Sequence, residues 1–332
     1  MKSSKVISYF ISMLIITLVL LPNNIYSMQK NEKIPDEVII GGELLHIELN
    51  TNKVMIFGVN QESKLKDYDL VESVEGSIVK KVFNKENMKI KSKQELIKLH
   101  ISMKDNDEII MNVNRNNNFV KLKLNKNELR YNNLIDKIPY TATLTYINPK
   151  SRSFKAVGHS IGFDKNNVKL KNEGEIFYSN ILKLEKSKKK YVGNITGDKN
   201  SKSKGEITNI DRYGISGHIN EKKSINRTYK IADEKDIKLG EAYVVMKHNC
   251  EEKKIHYKIN VSKINKDKDN NIKNFNFKIV DKRLISNYGG IVQGMSGSPI
   301  IQNNKIIGAL SHVITTDTTN GVGVYIKIMM KE

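Results

Sequence analysis

A mostly β chain carrying a small α+β module towards its N-terminal side is the predicted fold class, on three observations. From residue 141 to residue 330 short apolar segments follow one another, each bounded by Gly, Asn, Asp or Lys-rich turns, the pattern of an all-β sandwich or barrel. Helical spacing surfaces in one stretch, KQELIKLHI at 93–101, between β-rich segments. No period of fixed length recurs, which excludes a repeat array.

At 332 residues the chain is long enough for two domains. The elements fall in order. VIIGGELLHIEL and KVMIFGV read as strands, and then Ser92 and Glu95 form a capping box before a helix with Leu96, Ile97 and Ile101 on its apolar stripe. EIIMNVNR and NFVKLKL alternate as a hairpin around Asn116, Asn117 and Asn118. Residues 37–124 thus have the size and order of a small peptide-binding module. The polar run 125–137 reads as a linker, and the strand-rich remainder, 138–332, as the second domain.

Lys and Arg number 56 against 36 Asp and Glu, a net charge of +20. The lysines are spread with asparagines over nearly every segment, and the densest cluster, KSKKK at 186–190, lacks interleaved aromatics. It reads as a solvated loop, so no nucleic-acid partner is expected. With Cys250 the single cysteine, no intrachain disulfide can form. The carboxylates of Glu251 and Glu252 beside it oppose a reactive thiolate. No phosphate-cradling loop or zinc-ligand spacing appears, so neither a cofactor nor a metal is expected. Lys2 and Lys5 precede an apolar run over 6–21 and then Pro22, the layout of an export signal. Ile25 departs from the small residue a cleavage site prefers, so residues 1–27 serve as a signal peptide or a membrane anchor. Either way the body of the chain is expected outside the cytoplasm.

Acyl transfer needs a nucleophile on an exposed turn, a base, an orienting acid and amide donors for the oxyanion. The run GGIVQGMSGSPIIQ at 289–302 offers G-x-S-G-x-P, which suits a hairpin turn and equally a nucleophile loop. In the second reading Ser296 is the nucleophile and the Gly294 and Ser296 amides form the oxyanion hole. Ser298 is less suited because Pro299 restricts its backbone. Among the histidines, His159 in KAVGHSIGFD ends an apolar strand beside Gly158; His218 and His312 are further candidates. For the acid, Asp281, which follows NFNFKIV, and Asp164, close to His159, stand level.

FKAVGHSIGFD, VDKRLISNYGG and the long GGIVQGMSGSPIIQNNKIIGALSHVI together resemble the stage IV sporulation protein B (SpoIVB) serine peptidases of endospore-forming bacteria. The resemblance runs from the export segment through a PDZ-like domain to a peptidase domain. It implies a chymotrypsin-like all-β barrel with Ser296 as nucleophile, His159 as base and Asp281, rather than Asp164, as acid. It also implies an exported protease in the space between the two forespore membranes. Such a protease cleaves itself and then a membrane-anchored regulator of an intramembrane protease, activating the late mother-cell sigma factor. In the PDZ-like domain the loop expected to receive a peptide carboxylate reads GGELLHIEL, with bulky Leu44 and His46, and the usual Gly-Asp turn is Gly76-Ser77. Its peptide ligand is therefore left open, and a catalytically inactive scaffold binding a membrane partner is the alternative to an enzyme.

Overall fold

The computed structural model describes residues 34–163, 168–199, 202–220, 227–249, 253–265 and 274–331. The export segment 1–27, Asp164 and Cys250 lie outside the described residues. In chain order the strands begin with β1 (Glu37–Ile40), β2 (Leu44–Ile56) and β3 (Leu70–Glu75), followed by helix α1 (Ser77–Phe83). β4 (Asn87–Lys89), helix α2 (Lys93–Ser102), β5 (Glu108–Arg115) and β6 (Asn118–Asn125) come next. Then follow β7 (Leu134–Ile147), β8 (Ser153–Val157), β9 (Leu170–Tyr178), the hairpin β10 (Ile181–Glu185) and β11 (Asn194–Gly197), β12 (Gly205–Asp211) and β13 (Gly214–Ile219). β14 (Tyr229–Ile231), β15 (Gly240–Met246), β16 (Ile255–Ile264) and β17 (Asn274–Ile279) lead to helix α3 (Lys282–Tyr288). The chain closes with β18 (Pro299–Gln302), β19 (Lys305–Val313), β20 (Asn320–Tyr325) and helix α4 (Ile326–Met329).

Two six-stranded rings form. β2, β7, β8, β13, β12 and β9 pair in a closed antiparallel circuit that returns to β2. β15, β16, β17, β20, β19 and β18 close a second one. Period-two sequence builds both. In β16, Tyr257, Ile259 and Val261 are buried while His256, Lys258 and Asn260 face solvent, so one face of the strand fills a barrel. Leu45, Ile47, Leu49, Phe154 and Ile176 fill the first barrel; Val244, Tyr257, Phe275, Phe277 and Leu310 fill the second. β1 clasps the two, because Ile39 and Ile40 pair with β7 while Glu37 and Val38 pair with β14. β14 in turn lies parallel to β19. This is the double-barrel architecture of chymotrypsin-like enzymes.

The α+β module is an insertion in the first barrel. β2 and β7 are long enough to leave the barrel together: beyond an irregularity between Asn50 and Met55 they continue as Met55↔Ile135 and Ile56↔Leu134, where β2 also takes on β3. The module's own core runs from Val54 to Leu134 and includes Val74, Leu96, Leu99, Met111 and Leu129. Three expectations are corrected here. Residues 37–49 belong to the barrel rather than to a module over 37–124. In GGELLHIEL the glycine amides are spent on β7, Gly41 N donating to Thr145 O at 2.8 Å and Gly42 N to Leu144 O at 2.7 Å, so this loop is no carboxylate receptor. The polar run 125–137 is no linker either, since Leu129 and Leu134 are core residues and β7 begins at Leu134.

The capping and turn signals in the module hold, but the expected helix stripe does not extend to Ile101. Ser92 Oγ accepts from Glu95 N and the Glu95 carboxylate accepts from Ser92 N at 3.2 Å. The hairpin turns through Asn116 and Asn117, both with positive φ, the conformation a tight two-residue turn needs. On α2 the buried stripe is Leu96 and Leu99, while Ile101 is exposed.

Candidate active site

His159 and Ser296 come from different barrels and meet where the barrels join. β8 ends at Val157, and the next two residues carry the chain towards the second barrel. Val157 has φ +84°, a conformation rarely held by a β-branched residue. Such strain persists only where the surroundings impose it, and here they do. Val157 is buried, Gly214 of β13 pairs with it, and Gly158 N donates to Tyr213 O at 3.1 Å. On the other side, Gly297 lies so close to Val157 that a Cβ on it would stand 2.5 Å from the Val157 amide nitrogen and 2.2 Å from Thr143 O. Only glycine fits, and the contact seats the residue before Gly297 beside the residue that follows Gly158.

The Gly294–Ser298 loop is held from both barrels. Thr143 donates its amide to Ser296 O at 2.8 Å and its hydroxyl to Gly294 O at 2.9 Å. Thr145 Oγ1 donates to Gly297 O at 2.8 Å, and Gly297 N to Leu310 O at 2.8 Å. These bonds occupy the carbonyls of the loop. The amides of Gly294 and Ser296 differ: among the described residues neither has an internal hydrogen-bond partner. Backbone N–H groups left unpaired on an otherwise tied loop are the donors an oxyanion hole requires. Ser296 is partly exposed amid buried neighbours. Ser298 is fully buried and its hydroxyl donates to Met295 O at 2.7 Å, which removes it as a nucleophile. GGIVQ, ahead of the serine, is irregular. Gly289 caps α3 in the left-handed region, and Ile291 N and Gln293 N bond to Thr318 O and Gly193 O instead of to a strand partner.

The His159 ring has its Nδ1 2.8 Å from the Ser160 carbonyl oxygen. A carbonyl only accepts, so Nδ1 carries the proton in that bond and Nε2 is the basic nitrogen of the neutral ring. Ser296 Oγ lies 3.4 Å from Ser311 O, to which it donates, and is not bonded to His159. Next along β19, His312 packs its ring 5.3 Å from that of His159, at 42°. Ser311 Oγ is 2.7 Å from His312 Nδ1. Partial burial, and then the neighbouring His159, hold His312 below the ordinary histidine pKa.

Asp281 is not in this cluster. It caps α3, accepting from Arg283 N at 2.9 Å, from the Arg283 guanidinium at 3.0 and 2.7 Å, and from Lys258 N at 3.1 Å. The bond from Arg283 is the chief reason its carboxyl sits far below the usual carboxylate range. It makes no hydrogen bond to His159. His218 pairs with Ser153 at the opposite end of β8 and is excluded by position. The residues that sequence reasoning did not place at the site are Thr143, Ser311 and His312. They come together through barrel closure, and only His312 had attracted notice, as a spare base. Among the described residues no cluster of His, Cys, Asp and Glu could hold a metal ion.

A double barrel with a glycine-flanked serine, a strand-end histidine and two free amides at its seam is a serine peptidase. More particularly, the profile of the family described as SpoIVB peptidase S55 matches residues 134–330, and the chain belongs to that family. Two crystal structures are similar at 10% identity, each with a TM-score of 0.30 over 57% of this chain: the Rv3671c protease in an inactive form, 81% of which is covered, and a serine-to-alanine mutant of Rv3671c from M. tuberculosis H37Rv, also inactive, 77% of which is covered. No curated protein matches the chain.

Proposed function

We propose that this chain is an exported sporulation endopeptidase in which Ser296 attacks the scissile carbonyl. His159 Nε2 takes the hydroxyl proton and returns it to the leaving amine, and the Gly294 and Ser296 amides bind the oxyanion. The Ser160 carbonyl fixes the tautomer by accepting from Nδ1. The observation that carries this reading is the pair of unpartnered amides on a loop whose carbonyls are all tied down. An oxyanion donor contributes about 2.7–4 kcal/mol to the barrier in this chemistry. By its membership of the SpoIVB family, the chain's substrates are itself and a membrane-anchored regulator of an intramembrane protease, whose cleavage leads to late mother-cell sigma-factor activation. Residues 1–27 would deliver it to the space between the forespore membranes or tether it there.

One observation favours the second reading, an inactive scaffold: Ser296 and His159 are not hydrogen-bonded to each other. Catalytic bonds are often long before substrate binds, so the two readings part on activity. Wild-type protein and Ser296→Ala, expressed side by side and analysed by intact mass, should differ, the wild type yielding self-cleavage fragments and the variant staying whole. The same fragments from both would end the peptidase reading.

A further inference from the structure

We infer that the substrate residue whose carbonyl Ser296 attacks carries a small side chain, Gly, Ala or Ser, because Ile291 and Phe277 fill the space that a larger one would need. This rests on Ser296 being the nucleophile and on the Gly294 and Ser296 amides holding the oxyanion. In this chemistry the side chain before the scissile bond enters a pocket beside the nucleophile, and the shape of that pocket sets the specificity. One flank of the nucleophile loop carries His159 and His312, and another is closed on Gly294 by Thr141 and Ile195. The third lies where residues 290–293, the end of β19 and β20 converge. Ser311 O on β19 accepts the Ser296 hydroxyl at 3.4 Å, Ile291 N donates to Thr318 O at 2.8 Å just ahead of β20, and Val313 pairs with Gly321.

That space is occupied. Ile291 and Met295 are buried in one cluster with Phe275, Phe277 and Leu310, and Val313 packs against it half-buried at the rim. The glycines of β20 measure how full it is. A Cβ on Gly321 would stand 2.6 Å from Ile291 Cδ1 and 2.6 Å from Phe277 Cζ, and one on Gly323 would stand 2.4 Å from Phe275 Cζ. Neither glycine has a positive φ, so space rather than backbone conformation requires them. The room they open is taken by the isoleucine and the two rings, which leaves a shallow seat beside Ser296. A leucine or phenylalanine before the scissile bond would have to displace close-packed side chains. A lysine or arginine would bring its charge against Ile291, Phe277 and Val313, none of which can pair with it.

The test is digestion of a proteome-derived peptide library by the full chain, with cut sites read by mass spectrometry and Ser296→Ala as the blank. The residue before each Ser296-dependent cut should be Gly, Ala or Ser. In matched peptides made from the commonest site, Ala at that position should give a kcat/KM at least about thirtyfold above Leu. Ile291→Ala, which empties part of the space, should narrow that ratio at least about tenfold, through faster hydrolysis of the Leu peptide rather than loss of the Ala peptide. Should Ile291→Ala fail to fold, Val313→Gly at the rim replaces it, with the ratio narrowing at least about threefold. The assignment is overturned if the wild type cuts after Leu, Phe or Lys within about threefold of Ala, or if the folded variant leaves the ratio unchanged. Two failures are kept apart by the blank. Ser296-dependent cuts after bulky residues overturn the pocket assignment alone, whereas cuts that persist in Ser296→Ala, or no cuts at all, overturn the Ser296 reading and this assignment with it.

Discussion

Gly297 and Gly294 do different work one residue either side of the Met295-Ser296 pair. At Gly297, φ is +93° and an added Cβ would meet backbone atoms of Thr143 and Val157, neither of which can turn aside. Gly297→Ala should therefore cost more than about 2 kcal/mol and abolish acylation, as differential scanning fluorimetry and probe labelling would show. At Gly294, φ is +101° but the nearest obstacle is the Ile195 side chain at 3.1 Å. Gly294→Ala should fold and lose about a hundredfold in peptide hydrolysis, because its amide is displaced. Asp281 gives a pH test. Its folded pKa lies below its unfolded value, so its contribution is complete above the unfolded carboxylate range, about 4, and is lost as pH falls further. Asp281→Asn should be less stable than wild type near neutrality, and the gap between their melting midpoints should close in acid. At this scale the sequence was informative about Ser296, whose glycine neighbours are a local signal. Asp281 is less plain, since Arg283, two residues away, is its chief partner. His312 was unreadable as a neighbour of His159, since only the closed barrel joins β19 to the end of β8.

Capping, turns and strand alternation were legible because each depends on residues a few positions apart. Ser92→Ala should lower unfolding free energy by about 1 kcal/mol, measurable by urea titration, since it removes one half of a reciprocal cap. Strand partners were harder. β1 and the barrel half of β2 read as part of the module because the module follows them in sequence, yet their hydrogen bonds go to β7, β9 and β14. Nothing local announces that a strand is to be paired a hundred residues later. On β8, Lys155 is nearly fully buried and ion-paired with Asp211 at the end of β12. Removing one partner leaves a buried charge, so Lys155→Met should destabilise the first barrel by about 3–5 kcal/mol, while Lys155→Met with Asp211→Leu should recover most of it. Urea unfolding of the two variants checks the order.

Across the whole chain, residues 35–332 form one compact unit, in which the module is an outgrowth of two barrel strands rather than a bead ahead of the peptidase. Deleting it at the expected boundary after residue 124 would remove β1 and β2 and open the first barrel. The two long strands also tie the module's position to β2 and β7, and β7 supplies the Thr143 and Thr145 that hold the nucleophile loop. Among the described residues no helix is long and apolar enough to cross a membrane. The lysines of the Lys186–Lys190 cluster are exposed in the turn between β10 and β11. The central claim is that the seam between the barrels activates one serine. It is tested most directly by reacting the protein with a fluorophosphonate and locating the adduct by peptide mass. A single adduct on the peptide containing Ser296, lost in His159→Ala, is the predicted result; an adduct elsewhere, or one formed equally fast without His159, would contradict it.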